Sequence, residues 1–306
     1  MGSEQFSRFV ESNRQRLEVA LSDRLPVAAA PGTERFNEAL RYAVFPGGKR
    51  LRPNLTLVAS RLGGASDEQA LTLACAVEFI HASSLVLDDL PCMDDAELRR
   101  NGPALHIVFG EGIAVLAAVA LLNQAYALFA VSARNNAQAE RLPRLIGEAA
   151  GCIGNSGMIA GQATELALSG ERADDSVLSS RELKTTGLMR LMMVAGAIIS
   201  GAPDANIAAL ATFGECLGKA YQIYDDLADT LGDHESTGKS GGQDLRHLRP
   251  TVVSGLSGEE VRRLATGVVE SGKDALARFG VRPEAELLRS AAEYIVAGFS
   301  PAAAAS

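Results

Sequence analysis

The chain has 306 residues, is 47% hydrophobic and only 5% aromatic, lacks tryptophan and carries a net charge of −8. That acidity excludes a general nucleic-acid binder, which needs a basic face. The four cysteines, at 75, 92, 152 and 216, are scattered and show neither CxxC nor Cys/His metal spacing, which predicts a reduced, cytoplasmic protein.

Taken in chain order, the sequence predicts helices near 4–24, 34–45, 50–62, 67–90, 94–101, 104–132, 138–168, 175–200, 203–231, 258–279 and 284–298. The N-terminal stretch is charged and has no apolar stretch of the secretory kind. Pro and Gly clusters separate the helices, at Pro46-Gly47-Gly48, Gly63-Gly64 and Gly102-Pro103 among others. No strand-like alternation persists, so the fold class is all-α. Without a visible linker or repeat, residues 1–306 form one expected domain. The uncharged run 113–131 approaches membrane-spanning length, but Asn123 and Gln124 interrupt it. A buried helix or a large subunit interface is expected there, with no transmembrane segment. The polar stretch 232–244 is expected to be a functional loop, and the last residues, SPAAAAS, are expected to fray.

Charge is concentrated at two places. In SLVLDDLPCMDDAELRRNG, residues 84–102, Asp88, Asp89, Asp94, Asp95 and Glu97 fall within ten residues. Val77, His81, Ser84 and Asp88 share one helical stripe. Pro91 must break that helix. In an unbroken helix Asp88 and Asp94 would stand about 120° apart; a turn at Pro91 brings Asp94 back towards Asp88. The second cluster, YQIYDDLADTLGD, has Asp225 and Asp229 one turn apart on a helix face, with Gln222 a turn earlier. Both clusters follow apolar segments, where unneutralised carboxylates are costly. Several Mg²⁺ ions shared with a diphosphate would remove that cost. PGGKRLRP places Lys49, Arg50 and Arg52 at a loop-to-helix junction, where glycines allow close backbone approach and a helix N-terminus favours anions. With Arg99, Arg100, Lys184 and Lys239, these describe two anion pockets, one metal-bridged and one built from direct Lys/Arg contacts.

GGKRLRP, DDLPCMDDAELRR, GQATEL (161–166), Lys184-Thr185, YQIYDDLAD and GKSGGQD occur in one order from residue 46 to about 255. The sequence thereby resembles the trans-isoprenyl diphosphate synthases, particularly bacterial geranylgeranyl and farnesyl diphosphate synthases. The resemblance implies antiparallel helices around a deep central cavity, usually in a homodimer. It implies isopentenyl diphosphate and an allylic diphosphate (dimethylallyl, geranyl or farnesyl) as substrates. It also implies Mg²⁺ held by Asp88, Asp94, Asp225 and Asp229, with Asp89, Asp226 and Lys184 completing the catalytic centre. By the same resemblance, Arg99, Lys184, Thr185, Gln222 and Lys239 contact the allylic diphosphate or its metals. Lys49, Arg52, His81 and Arg100 make the isopentenyl site, and Ser83 and Ser84 set chain length. Their small size favours geranylgeranyl over farnesyl diphosphate as product; a non-catalytic subunit would be expected to lack the metal ligands. The chain departs from the family pattern at Arg249-Pro250, where a further Lys is usual, at RRNGPALH, and in a C-terminus without basic residues.

Overall fold

The computed structural model describes residues 2–45, 47–100, 102–167, 175–231 and 257–297. The loop 232–244 with Lys239, the Arg249-Pro250 pair and the tail SPAAAAS lie outside these. The described residues form α1 Gly2–Arg24, α2 Glu34–Val44, α3 Leu51–Leu62, α4 Asp67–Asp88, α5 Leu105–Phe109, α6 Glu111–Ser132, α7 Asn136–Ala139, α8 Leu142–Ile153, α9 Met158–Ala167, α10 Asp175–Ser200, α11 Asp204–Leu231, α12 Gly258–Ala275 and α13 Pro283–Ala297. The fold is the all-α one expected.

Helix α4 is the axis of the molecule. Ser66 starts it with a capping box: its hydroxyl accepts from the Gln69 amide while the Gln69 side chain accepts from the Ser66 amide, satisfying two otherwise orphaned donors. From Gln69 to Ile80 every residue is buried. A helix apolar all round must be enclosed by neighbours, and α3, α6 and α10 supply them. Helix α10 in turn packs on α3, α8, α9 and α11. The links 63–66 and 201–203 are short, so the packed pairs α3/α4 and α10/α11 run antiparallel. Cys75 and Cys152 are buried in this core, and burial pushes both thiols up to about 12.

Several expected helices are broken or absent. Residues 94–101 form no helix; they turn and enter a two-residue antiparallel ladder, β1 Leu98–Arg99 with β2 Gly102–Pro103. Asp95 and Arg100, at φ 49° and 52°, cannot continue a right-handed helix. The 104–132 segment divides at Gly110, φ 88°, a conformation natural to glycine alone. The 138–168 segment divides into α7, α8 and α9, with breaks at 140–141 and 154–157. The 258–279 segment ends in a tighter turn at Leu276–Phe279.

Among the described residues, three helical stretches, Asp67–Asp88, Glu111–Ser132 and Glu182–Ser200, are long and apolar enough to cross a membrane by length and composition. The first and third are enclosed, with 78% and 72% of their apolar windows buried, whereas only 39% of the second is. Helix α6 leaves Val115, Leu116 and Val119 exposed, beside Ile107 of α5.

Candidate active site

Helix α4 ends at Asp88, and the chain then folds back on itself. The amide of Met93 donates to the Leu90 carbonyl at 2.9 Å, that of Asp95 to Leu90 at 3.1 Å and that of Ala96 to Asp89 at 3.2 Å. The Asp94 amide donates to the Asp88 carbonyl at 2.9 Å. Pro91 thus ends the helix as the sequence requires, and Asp94 returns to Asp88.

The two members of the Asp88-Asp89 pair point to different partners. Asp89, with its side chain 4% exposed, takes the Arg99 guanidinium edge-on: Arg99 Nε lies 2.9 and 3.0 Å from its two oxygens, and Nη2 donates as well. Burial opposes the Arg99 charge, but Asp89, with Asp88 and Asp94 behind, outweighs it and raises its pKa. Asp88 instead lies 3.6 Å from Lys184 Nζ. Lys184 also donates to Glu165 at 2.8 Å. Burial works against this ammonium too, and the pull of Asp88, Glu165 and Asp94 raises its pKa. Glu165 reaches Lys184 because α9 lies tight on α10: a side chain at Gly161 would start 2.3 Å from the Lys184 backbone nitrogen.

The neighbouring Thr185 serves the other cluster. Its hydroxyl donates to Gln222 Oε1 at 2.9 Å, and Gln222 Nε2 donates to Asp226 Oδ1 at 2.7 Å. Asp226 is buried and Asp225 is half-buried. Asp229 lies on the same helix, α11, but its side chain is outside the described residues. Adjacent residues of α10 therefore touch both acidic segments.

A cationic group lies beside them. Arg52 Nη1 and His81 Nε2 are 3.3 Å apart, and the Arg52 guanidinium sits 5.5 Å from the centre of the Tyr221 ring on α11. Arg52 Nε is buried without a hydrogen-bond partner. Arg100 lies over Gly48, with its Nε 3.8 Å from where a side chain at Gly48 would begin. Burial lowers the Arg100 pKa, and repulsion from Arg50, Arg99 and Arg52 adds to it against the support of Glu78. Lys49 stays on the exposed side of the loop. Arg50, Asp95 and Arg100 are the three non-glycine residues at positive φ among the described residues. All belong to these segments, and such strain persists where surrounding contacts over-determine it.

Ser83 and Ser84 part company. Ser83 is buried and donates to the Ala118 carbonyl of α6 at 2.8 Å, whereas Ser84 is partly open and donates to His81 of its own helix at 2.9 Å. Below Ser84 on the same stripe, Ile80 and Val77 are buried.

Among the described residues, no three carboxylate, imidazole or thiol groups already converge as a metal site. The donor set nonetheless fits a hard divalent cation. Asp88 and Asp94 act on one ammonium, and Gln162 Oε1 is buried without a partner while its Nε2 lies 3.8 Å from Met93 Sδ in the same turn. Oxygen donors that leave positions open for phosphate suit Mg²⁺. Glu165 and Gln162 stand in GQATEL, a segment with a resemblance but no assigned chemistry in the sequence; only the packing of α9 on α10 gives them a place.

The family profile described as polyprenyl synthetase matches residues 33–263. The chain is 38% identical over 265 residues to a chloroplastic geranylgeranyl pyrophosphate synthase of Catharanthus roseus, across 85% of this chain and 73% of the relative. Among solved structures it is similar to an FPP/GFPP synthase of Zymomonas mobilis at 33% identity and TM-score 0.83, with 97% and 100% of the two chains covered. It is also similar to a polyprenyl synthase of Caulobacter crescentus, complexed with calcium and isoprenyl diphosphate, at 28% identity and TM-score 0.77, with 96% and 97% covered. Two acidic segments joined through α10 beside a cationic cluster, on this fold and with these relatives, identify the chain as a prenyltransferase of the polyprenyl synthetase family.

Proposed function

We propose that the chain makes geranylgeranyl diphosphate by 1′–4 condensation of isopentenyl diphosphate with dimethylallyl, geranyl and farnesyl diphosphates in turn. The observation that carries this reading is the Lys184-Thr185 pair, which touches Asp88 on one side and Gln222 on the other. One allylic diphosphate placed between the two acidic segments would meet both. Arg52, His81 and Arg100, with Lys49 at the rim, would receive the second diphosphate.

Asp88, Asp94, Asp225 and Asp229 would hold Mg²⁺, with Gln162 Oε1 as a further neutral oxygen. When bound, Mg²⁺ supplies charge neutralisation that makes the allylic diphosphate a leaving group. Lys184 donates to the departing oxygens from a position kept by Glu165, and Thr185 and Gln222 orient the same group. The bond from the allylic C1′ to its diphosphate oxygen breaks, C1′ bonds to C4 of isopentenyl diphosphate, inorganic diphosphate leaves and the isopentenyl unit loses a proton. Ile80 and Val77, packed below Ser84 with almost no exposed surface, would part from their neighbours to give the tail its path and would keep water from the electron-poor carbon. Ser84 leaves that path open past the position where a bulky side chain would stop a fifteen-carbon tail.

Diphosphate release from purified protein should require isopentenyl diphosphate, an allylic diphosphate and Mg²⁺ together. EDTA should abolish it and excess Mg²⁺ restore it; turnover that persists in EDTA contradicts the reading.

The exposed apolar face of α6, with Val115, Leu116 and Val119, is proposed to meet its counterpart on a second copy of the chain. Faces of this kind mark contact surfaces. Sedimentation equilibrium should give twice the chain mass, and Leu116→Glu should shift it to the single-chain value; a wild type that sediments as one chain contradicts the homodimer.

A further inference from the structure

Of the three cations in KRLR, one is turned away from any ligand. Arg50 follows Lys49 and precedes Arg52 by two residues, yet its side chain is only 1% exposed. Its guanidinium grips three elements at once. Nε and Nη2 donate to the two oxygens of Glu18 on α1 at 2.7 and 3.0 Å, Nη1 to Glu78 on α4 at 2.6 Å, and Nη2 to the Val44 carbonyl at the end of α2 at 2.9 Å. The backbone carbonyl of Arg50 accepts from Asn54 Nδ2 at 2.8 Å.

A buried ion pair is a poor way to add stability, because desolvation consumes most of the attraction. Its attested use is to fix one geometry, and the geometry here has a cost of its own. Arg50 stands at φ 50°, a strained conformation for a residue with a β-carbon. Glycine at 47 makes room for it: a side chain there would start 1.9 Å from Arg50 Cζ. The first glycine of PGGKRLRP is therefore occupied by the arginine's own head, and its space is not open for phosphate to approach.

The clamp sits directly behind the cationic group. Glu78 and His81 lie one turn apart on α4, so Arg50–Glu78 and Arg52–His81 form two parallel rungs between the start of α3 and α4. Glu78 also supports the Arg100 charge against its cationic neighbours. We propose that Arg50 is a positioning residue for the isopentenyl diphosphate site: it touches no substrate, and with Glu18, Glu78 and Gly47 it sets the placement of Arg52, His81 and Arg100. This inference rests on the proposed function, because it takes that cationic group to be the isopentenyl diphosphate site.

Two substitutions disturb the clamp differently. Arg50→Lys keeps the charge but cannot fork between two carboxylates. Gly47→Ala keeps every charge and displaces the guanidinium. Both should raise the KM for isopentenyl diphosphate by about ten- to a hundredfold, the scale of a misplacement near 1 Å. The KM for farnesyl diphosphate should stay within about twofold and kcat within about threefold on the same scale, since the allylic contacts are elsewhere. Circular dichroism gives the folded fraction of each variant, and the kinetics are expressed per folded chain. Equal rises in both KM values, or rates that merely follow the folded fraction with both KM values unchanged, would overturn the inference and leave Arg50 a structural residue. A wild type that consumed no isopentenyl diphosphate would overturn the functional reading and this inference with it; wild-type turnover with unsplit variant kinetics overturns this inference alone.

Discussion

The two Asp-rich segments differ in backbone and agree in logic. The first is a broken helix, where α4 stops at Asp88 and the chain turns back so that the Asp94 amide meets the Asp88 carbonyl. The second runs unbroken along α11, where Asp225 and Asp226 are neighbours on a continuous helix. In each adjacent pair, one carboxylate is held by a protein donor: Asp89 by Arg99, and Asp226 by Gln222, itself held by Thr185. The other member is partly open: Asp88, with Lys184 Nζ 3.6 Å away, and the half-buried Asp225. On the proposed function the doubled Asp would divide labour, with one carboxylate fixing the segment and one facing the ligand. In the first pair the Arg99 cation offsets the charge of Asp89; in the second, the neutral Gln222 amide stabilises Asp226 by a hydrogen bond without removing its charge.

Removing an outward member should damage catalysis and spare the fold. Asp88→Ala and Asp225→Ala should each lower kcat by about 10²-fold or more, the size of losing one preorganised charge contact in such a site. Their melting temperatures should stay near wild type, since Lys184 keeps Glu165 as partner. Steady-state rates beside thermal melts check this; a large stability loss with ordinary kcat would reverse the assignment.

Removing an inner member should do the opposite. Asp89→Asn leaves the Arg99 charge, 17% exposed, without its carboxylate, and should cost about 3 kcal/mol of stability. Asp226→Asn removes a charged acceptor from a neutral donor, a smaller loss of about 1–2 kcal/mol. Urea titrations give both values. If Asp226→Asn proved the costlier of the two, the ranking of the two inner contacts would be wrong.

Much of this site could be read in the sequence, and the parts that could not have physical reasons. The return of Asp94 to Asp88 follows from Pro91, a residue whose backbone admits few alternatives. The helical class follows from periodicity, and α3, α4, α10 and α11 begin and end within two residues of expectation. Breaks that depend on single residues at positive φ, such as Gly110 and Arg100, leave no trace in periodicity, so 94–101 and 104–132 read as unbroken helices. Partner choice is less legible still. Nothing in the string KRLR says that Arg50 turns inward to Glu18 and Glu78 while Arg52 meets His81, because Glu18 is 32 residues away from Arg50 and Glu78 is 28. Similarly, the helical repeat puts Ser84 and not Ser83 on the Asp88 stripe, but nothing in the sequence says that Ser83 is bonded to Ala118 of α6.

That last difference leads to the measurement that bears most directly on the proposed function. Wild-type protein would be incubated with Mg²⁺, isopentenyl diphosphate and each allylic diphosphate, and the hydrolysed products separated by chromatography. Geranylgeranyl, twenty carbons, is expected from all three allylic substrates. Ser84→Phe should shift the product to fifteen carbons, since a packed wall cannot yield to an added ring without cost. A wild type that stops at farnesyl, or a Ser84→Phe variant that still reaches twenty carbons, would contradict the proposed function.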